Sequence, residues 1–122
     1  MVFAGCASPR HFHANIQSES AGDRILAIRA AGEAKDLAAV PLIVDRLEDE
    51  DDGVRFFAIL ALERITGTRL GYDYAADFEQ RTRSVERWRE YVRQGHHRRS
   101  AREGLAKDSA GSDAVEGGTT SR

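Results

Sequence analysis

Residues 54–65 form a segment that is apolar on nearly every side of a helix, which strongly restricts how the chain can fold. One face carries apolar residues spaced three and four apart: Val54, Phe57, Ala58, Ala61, Leu62 and Ile65. The opposite side is apolar too, at Phe56, Ile59 and Leu60. A helix of this kind packs between neighbours instead of lying on a surface. Asp52 is the expected N-cap, and Gly67 follows where a C-cap belongs.

Three further helices are predicted from the spacing of apolar residues. The first spans residues 23–34 with Asp23 as its N-cap, and the second spans residues 37–47 with Asp36 as its N-cap. The third spans residues 78–94 and buries Trp88 with neighbouring aliphatic residues. Runs of β-branched residues are absent, so the pattern favours an all-α fold.

The large apolar residues divide the chain into one folded domain and two flexible ends. Residues 23–94 hold nearly all of them. Residues 95–122 contain only Leu105 and Val115 as large aliphatics and are rich in Gly, Ser, Thr and Ala, so we expect this segment to be disordered. Residues 1–22 are weakly patterned and are expected to form a flexible tether.

An internal repeat relates the first predicted helix to the apolar one at an offset of 31 residues. Four identities fall at the same helical phase: Arg24 with Arg55, Ala27 with Ala58, Ile28 with Ile59, and Ala30 with Ala61. A repeat of this length is typical of stacked helix pairs, because one pair cannot bury its apolar face alone.

The residues between the two copies resemble the turns of HEAT repeats, especially the short bacterial kind. Residues 47–55 show a leucine, a run of acidic residues and then Val-Arg, and residues 39–43 read Ala-Val-Pro-Leu-Ile. The resemblance implies a short α-solenoid of about two helix pairs. It also implies that Asp49, Asp51 and Arg55 form structural contacts between repeats.

The start of the chain resembles a bacterial lipobox. Residues 3–6 read Phe-Ala-Gly-Cys, and Cys6 would carry the lipid and become the mature N-terminus. Only five residues precede Cys6, so this interpretation requires a signal peptide that begins upstream. It predicts a domain anchored in the bacterial envelope and facing the periplasm. The alternative is a lone cysteine in a flexible tail of a cytoplasmic protein.

The sequence contains no arrangement typical of an enzyme. All four histidines lie outside residues 23–94, so a Ser-His-Asp triad within the domain is excluded. We expect no metal and no cofactor. The domain has more acidic than basic residues, which disfavours nucleic acid as a partner.

We therefore expect a non-enzymatic scaffold that binds a protein partner and contacts a membrane only through Cys6. The loop of residues 68–77 is the expected partner contact, through Tyr72 and Tyr74. Self-association is also expected, because the first helix has no preceding repeat to cover it. The alternative function is a cytoplasmic HEAT-like adaptor or lyase-type subunit without lipidation.

Overall fold

Helices dominate the computed structural model, which describes residues 9–99 and 102–103. They are α1 (Pro9–Ile16), α2 (Ala21–Glu33), α3 (Val40–Asp45), α4 (Asp52–Thr66) and α5 (Phe78–Arg93). Single 3-10 turns at Leu37–Ala39 and Arg46–Glu48 flank α3. This part of the chain contains no strand. The prediction of an all-α fold is confirmed.

The longer helices begin at side-chain caps, although two of these caps differ from the predicted ones. The Ser20 hydroxyl accepts a hydrogen bond from the amide of Asp23 at 3.3 Å, and the Asp51 carboxylate accepts one from the amide of Val54 at 3.0 Å. Both capping residues have extended backbones, as an N-cap requires. The predicted caps, Asp23 and Asp52, instead lie in the first turns of their helices. There their negative charges interact favourably with the positive end of the helix dipole.

The helices stack in two layers. One layer contains α2 and α4, which pack on each other. The second layer contains α3 and α5, which also pack on each other, and α3 contacts α4 across the two layers. Taken in the order of the chain, α2 and α3 form the first pair, and α4 and α5 form the second. Fully buried side chains from both layers meet between them: Ile28, Ile43, Leu47, Ile59, Leu62 and Trp88. This is the expected short solenoid of about two helix pairs.

The folded part begins earlier than the predicted boundary at residue 23. Residues Pro9–Ile16 form α1, which packs on α2 and touches α3. Ile16 is fully buried in the core. Phe12 and Ile16 are the two large apolar residues of α1 and lie four residues apart, but a helix of eight residues gives only a short pattern. Helix α1 covers a face that the first pair leaves open. Part of the face expected to drive self-association is thus covered within the chain.

The folded part also continues past the predicted boundary at residue 94. Residues 96–99 are helical, and His97 is buried. Burial lowers the pKa of His97 below its usual value, and the charge of Arg98 lowers it further. Residues 104–122 lie outside the described residues, as do residues 1–8.

Candidate interaction surfaces

The 31-residue repeat is visible in the contacts of two arginines. Arg24 in α2 and Arg55 in α4 each direct one guanidinium nitrogen at the main-chain carbonyls five and six residues earlier. The distances are 3.1 and 2.7 Å for Arg24, and 3.3 and 2.9 Å for Arg55. Each arginine therefore holds the turn that leads into its own helix, and the two turns have the same architecture.

Asp49 links the first helix pair to the second. Its carboxylate accepts a hydrogen bond from Nη2 of Arg24 at 3.0 Å, and its second oxygen lies 3.0 Å from Nε of that residue. Asp49 also accepts from the amide of Asp51 at 3.0 Å and from Arg46 at 3.3 Å. Both Arg24 and Asp49 are buried. The contact between repeats thus pairs Asp49 with Arg24, while the equivalent position in the first turn is Ser18.

The other two residues expected at the repeat interface have different partners. Asp51 acts within its own turn as the N-cap of α4. Arg55 donates from Nε to the carbonyl of Tyr74 at 3.3 Å and so ties α4 to the following loop. Arg55 contacts a main-chain carbonyl, whereas Arg24 contacts the carboxylate of Asp49, two residues before the cap Asp51. The equivalent residue two positions before the next cap, Asp77, is Ala75, which has no carboxylate to offer.

The loop of residues 68–77 turns its tyrosines inward, so the prediction that Tyr72 contacts a partner is wrong. Tyr72 is 3 % exposed, and its hydroxyl donates to the carbonyl of Leu47 at 2.6 Å. Burial raises the pKa of Tyr72 to about 12. Tyr74 is half-buried and packs edge-on against Phe56, with ring centroids 5.0 Å apart. The loop closes the end of the stack where a third pair would otherwise pack.

Trp88 fixes the last helix to this loop. Its side chain is fully buried, and its indole N–H donates to the carbonyl of Arg69 at 2.9 Å. On the other side of α5, Arg89 contacts Glu48 at 2.5 Å, and this hydrogen bond raises the pKa of Arg89. Helix α5 therefore closes the second pair against both the loop and the turn before α4.

The acidic and histidine side chains of the described residues are mostly engaged in structural contacts. No group of three His, Cys, Asp or Glu side chains there is placed to hold a metal ion. His13 bonds Asp36 at 2.8 Å, which joins α1 to the turn after α2. In the acidic run of residues 48–52, Asp49 accepts a hydrogen bond from Arg24, and Asp51 caps α4. Cys6 lies outside the described residues.

A groove on the outer side of the α2–α4 layer is the surface that sequence reasoning missed. Its volume is about 380 Å³, and its lining is Arg29, Gly32, Glu33, Phe57, Leu60, Ala61, Glu63 and Arg64. Gly32 lies at its base, where an added Cβ would come within 3.0 Å of the Ala61 side chain. The apolar outer side of α4 was the signal for this surface, but the sequence alone assigned it to packing between helices.

The comparison with known families agrees with this architecture. A family model described as HEAT repeats matches residues 10–89, from within α1 to within α5. The chain is a HEAT-repeat protein. Searches of curated proteins and of solved structures each found no match. HEAT repeats commonly act as scaffolds for protein interactions and are typically non-catalytic. No helix in the described part of this HEAT-repeat protein is long and apolar enough to cross a bilayer.

Proposed function

We propose that this HEAT-repeat protein is a non-enzymatic protein-interaction module, held at the bacterial cell envelope by a lipid on Cys6. The observation that carries the interaction role is the HEAT-repeat match over residues 10–89, because stacked helix pairs present a continuous binding surface. The support for the anchor is the lipobox-like sequence of residues 3–6. The domain would then lie in the periplasm.

The start of α1 makes the proposed tether short. Only Ala7 and Ser8 lie between Cys6 and Pro9, where α1 begins, so the lipid would hold the domain within about 10 Å of the membrane surface. A four-residue turn joins α1 to α2, and the two helices pack on each other. His13 of α1 contacts Asp36, in the turn that follows α2, so that turn would lie near the anchored helix.

The same geometry moves the acidic turn away from the bilayer. Asp49 contacts Arg24 in the first turns of α2, at the end opposite the anchored edge. Glu33, where α2 ends, lies nine residues after Arg24, and this part of the helix spans about 14 Å. This separation exceeds the screening length of about 8 Å at physiological salt. Anionic lipids would therefore exert little repulsion on the acidic turn, and the turn would remain accessible from the side facing away from the membrane.

Mass spectrometry of the protein expressed from its own gene in its host tests the anchor. We expect an N-terminal peptide that begins at Cys6 and carries acyl mass, and we expect the protein to partition into detergent. The Cys6→Ser variant is the matched control and should stay in the aqueous phase. An unmodified peptide that extends upstream of Cys6, with identical partitioning of both proteins, would refute the anchor.

An unmodified N-terminal peptide of this kind would support a cytoplasmic HEAT-like adaptor without lipidation. One observation favours this alternative: residues 9–16 form a helix and so remove most of the flexible tether expected between Cys6 and the domain. The interaction role is tested separately by photo-crosslinking from exposed positions on each helix layer. A purified partner that binds saturably would support it, and no specific crosslink from either layer would count against it.

A further inference from the structure

Of the charged side chains that line the α2–α4 groove, one forms an ion pair among the described residues and three do not. Glu63 is bound by Arg69 at 3.0 Å. Arg29, Glu33 and Arg64 form no ion pair with any residue in the described part of the chain. Two cations and one anion without an ion-pair partner therefore border the groove, which makes it locally positive on a chain of net charge -2.

The base of the groove is apolar and narrow. Gly32 and Ala61 bring α2 and α4 into close contact, while Phe57 and Leu60 remain partly exposed along α4. The guanidinium of Arg29 lies 5.8 Å from the centre of the Phe57 ring, so a cation is held directly beside the apolar surface. A ligand that fills this groove would bury apolar side chains next to free positive charge.

The length of the groove fits a short helix as its ligand. The lining residues of α4 run from Phe57 to Arg64, a distance of about 10 Å, which matches two turns of a helix with apolar residues at i, i+4 and i+7. An added β-strand needs an open sheet edge, and the described residues contain no strand. The volume of about 380 Å³ lies at the small end of the range of ligand pockets, so it holds a few side chains of a docked helix more readily than a large cofactor.

We propose that this groove binds an acidic amphipathic helix of a partner protein, with its apolar residues on Phe57 and Leu60 and its carboxylates facing Arg29 and Arg64. This inference rests on the proposed interaction role and names the surface and the kind of partner. Helix α4 then has two functions, because its inner face holds the core while its outer face receives the ligand.

Synthetic peptides test the proposal through fluorescence anisotropy with the full chain. Three labelled helical peptides of about 16 residues would be compared: one with apolar anchors and glutamates, one with the same anchors and lysines, and one with glutamates and alanine in place of the anchors. We expect the first to bind about tenfold more tightly than either other peptide, and we expect added salt to weaken it.

Matched variants locate the binding site. Leu60→Ser should weaken the acidic peptide about tenfold, whereas Leu26→Ser should not, because Leu26 is 63 % exposed but lies outside the groove. Arg64→Glu should reverse the preference toward the lysine peptide, and Arg98→Glu on an exposed site should leave it unchanged. Circular dichroism would establish that each variant folds.

Amide chemical shifts complete the test, and each outcome decides the proposal. Shifts on peptide binding that centre on Gly32 and Ala61 support it. No binding by the acidic peptide at about 1 mM, or an equal affinity for the lysine peptide, overturns it. Shifts on another face overturn the groove assignment while the interaction role survives. Concentration-dependent shifts at the same amides without peptide would show that a second copy occupies the groove, which also overturns the proposal.

Discussion

Replacing Asp49 by alanine tests whether one buried ion pair holds the two helix pairs together. The Asp49 side chain is 3 % exposed, and its carboxylate accepts hydrogen bonds from Arg24, Arg46 and the amide of Asp51. Its removal leaves the Arg24 guanidinium buried without its counter-charge. Breaking a buried pair in this way costs about 3–5 kcal/mol.

The lower end of this range applies here. Arg24 keeps its two main-chain carbonyls, and Arg46 is only partly buried and can reach water. We therefore expect Asp49→Ala to lower the free energy of unfolding by about 3 kcal/mol. A domain of this size has a total stability of about 5–14 kcal/mol, so the variant should lose a large share of it.

Urea unfolding measures the effect, with helix content and Trp88 fluorescence as the two signals. Trp88 is fully buried and is the only tryptophan, so its emission reports on the core directly. Asp49→Asn keeps the shape and part of the hydrogen bonding, and it should cost about 1–2 kcal/mol. Glu50→Gln is the matched control in the same turn, because Glu50 is exposed, and it should change stability by less than about 0.5 kcal/mol.

The double-mutant cycle with Arg24→Ala decides whether the two residues act as a pair. We expect a coupling free energy of about 1–3 kcal/mol between them. A loss of less than about 1 kcal/mol for Asp49→Ala, equal to the loss for Glu50→Gln, would refute the reasoning. It would mean that apolar packing alone joins the repeats.

Two further predictions concern the core. Tyr72→Phe should cost about 1–2 kcal/mol in urea, because the carbonyl of Leu47 loses its buried donor. Burial raises the pKa of Tyr72 from 10.0 to about 12 in the folded state, so the stability from this residue is intact below pH 10 and is lost as the pH rises toward 12. The Tyr72→Phe variant should lack that part of the alkaline loss. Gly32→Ala should destabilise the protein by about 1–3 kcal/mol, since its Cβ would meet Ala61 at 3.0 Å. Gly22→Ala should instead stabilise α2 by about 0.5–1 kcal/mol, because the added Cβ would lie 3.7 Å from its nearest neighbouring atom. A change in stability of the same sign for both variants would contradict this packing.

Features that depend on local pattern were predicted well. Helix α4 follows from its apolar spacing, and its end at Gly67, with φ +83°, follows from the left-handed conformation that glycine adopts readily. Helix α5 follows in the same way from the spacing around Trp88. The HEAT-repeat family also follows from local pattern, because its turns have a recognisable sequence at residues 47–55.

Features that depend on which neighbour covers a residue were not predicted. Tyr72 is an aromatic residue in a polar loop, and such a residue suits a binding surface as well as a core. Only the distance to the Leu47 carbonyl shows that it is internal. Arg24 likewise has no acidic turn before it, and its partner Asp49 comes from the next repeat, 25 residues later.

The sequence by itself determined that this chain is an all-α stack of two helix pairs, because apolar periodicity specifies which face of each helix must be buried. The tertiary structure alone decided what buries it. It placed α1 in the core, turned the loop tyrosines inward and left a groove open between α2 and α4. These outcomes depend on the space that remains after the helices pack, and a linear pattern of residues does not encode that space.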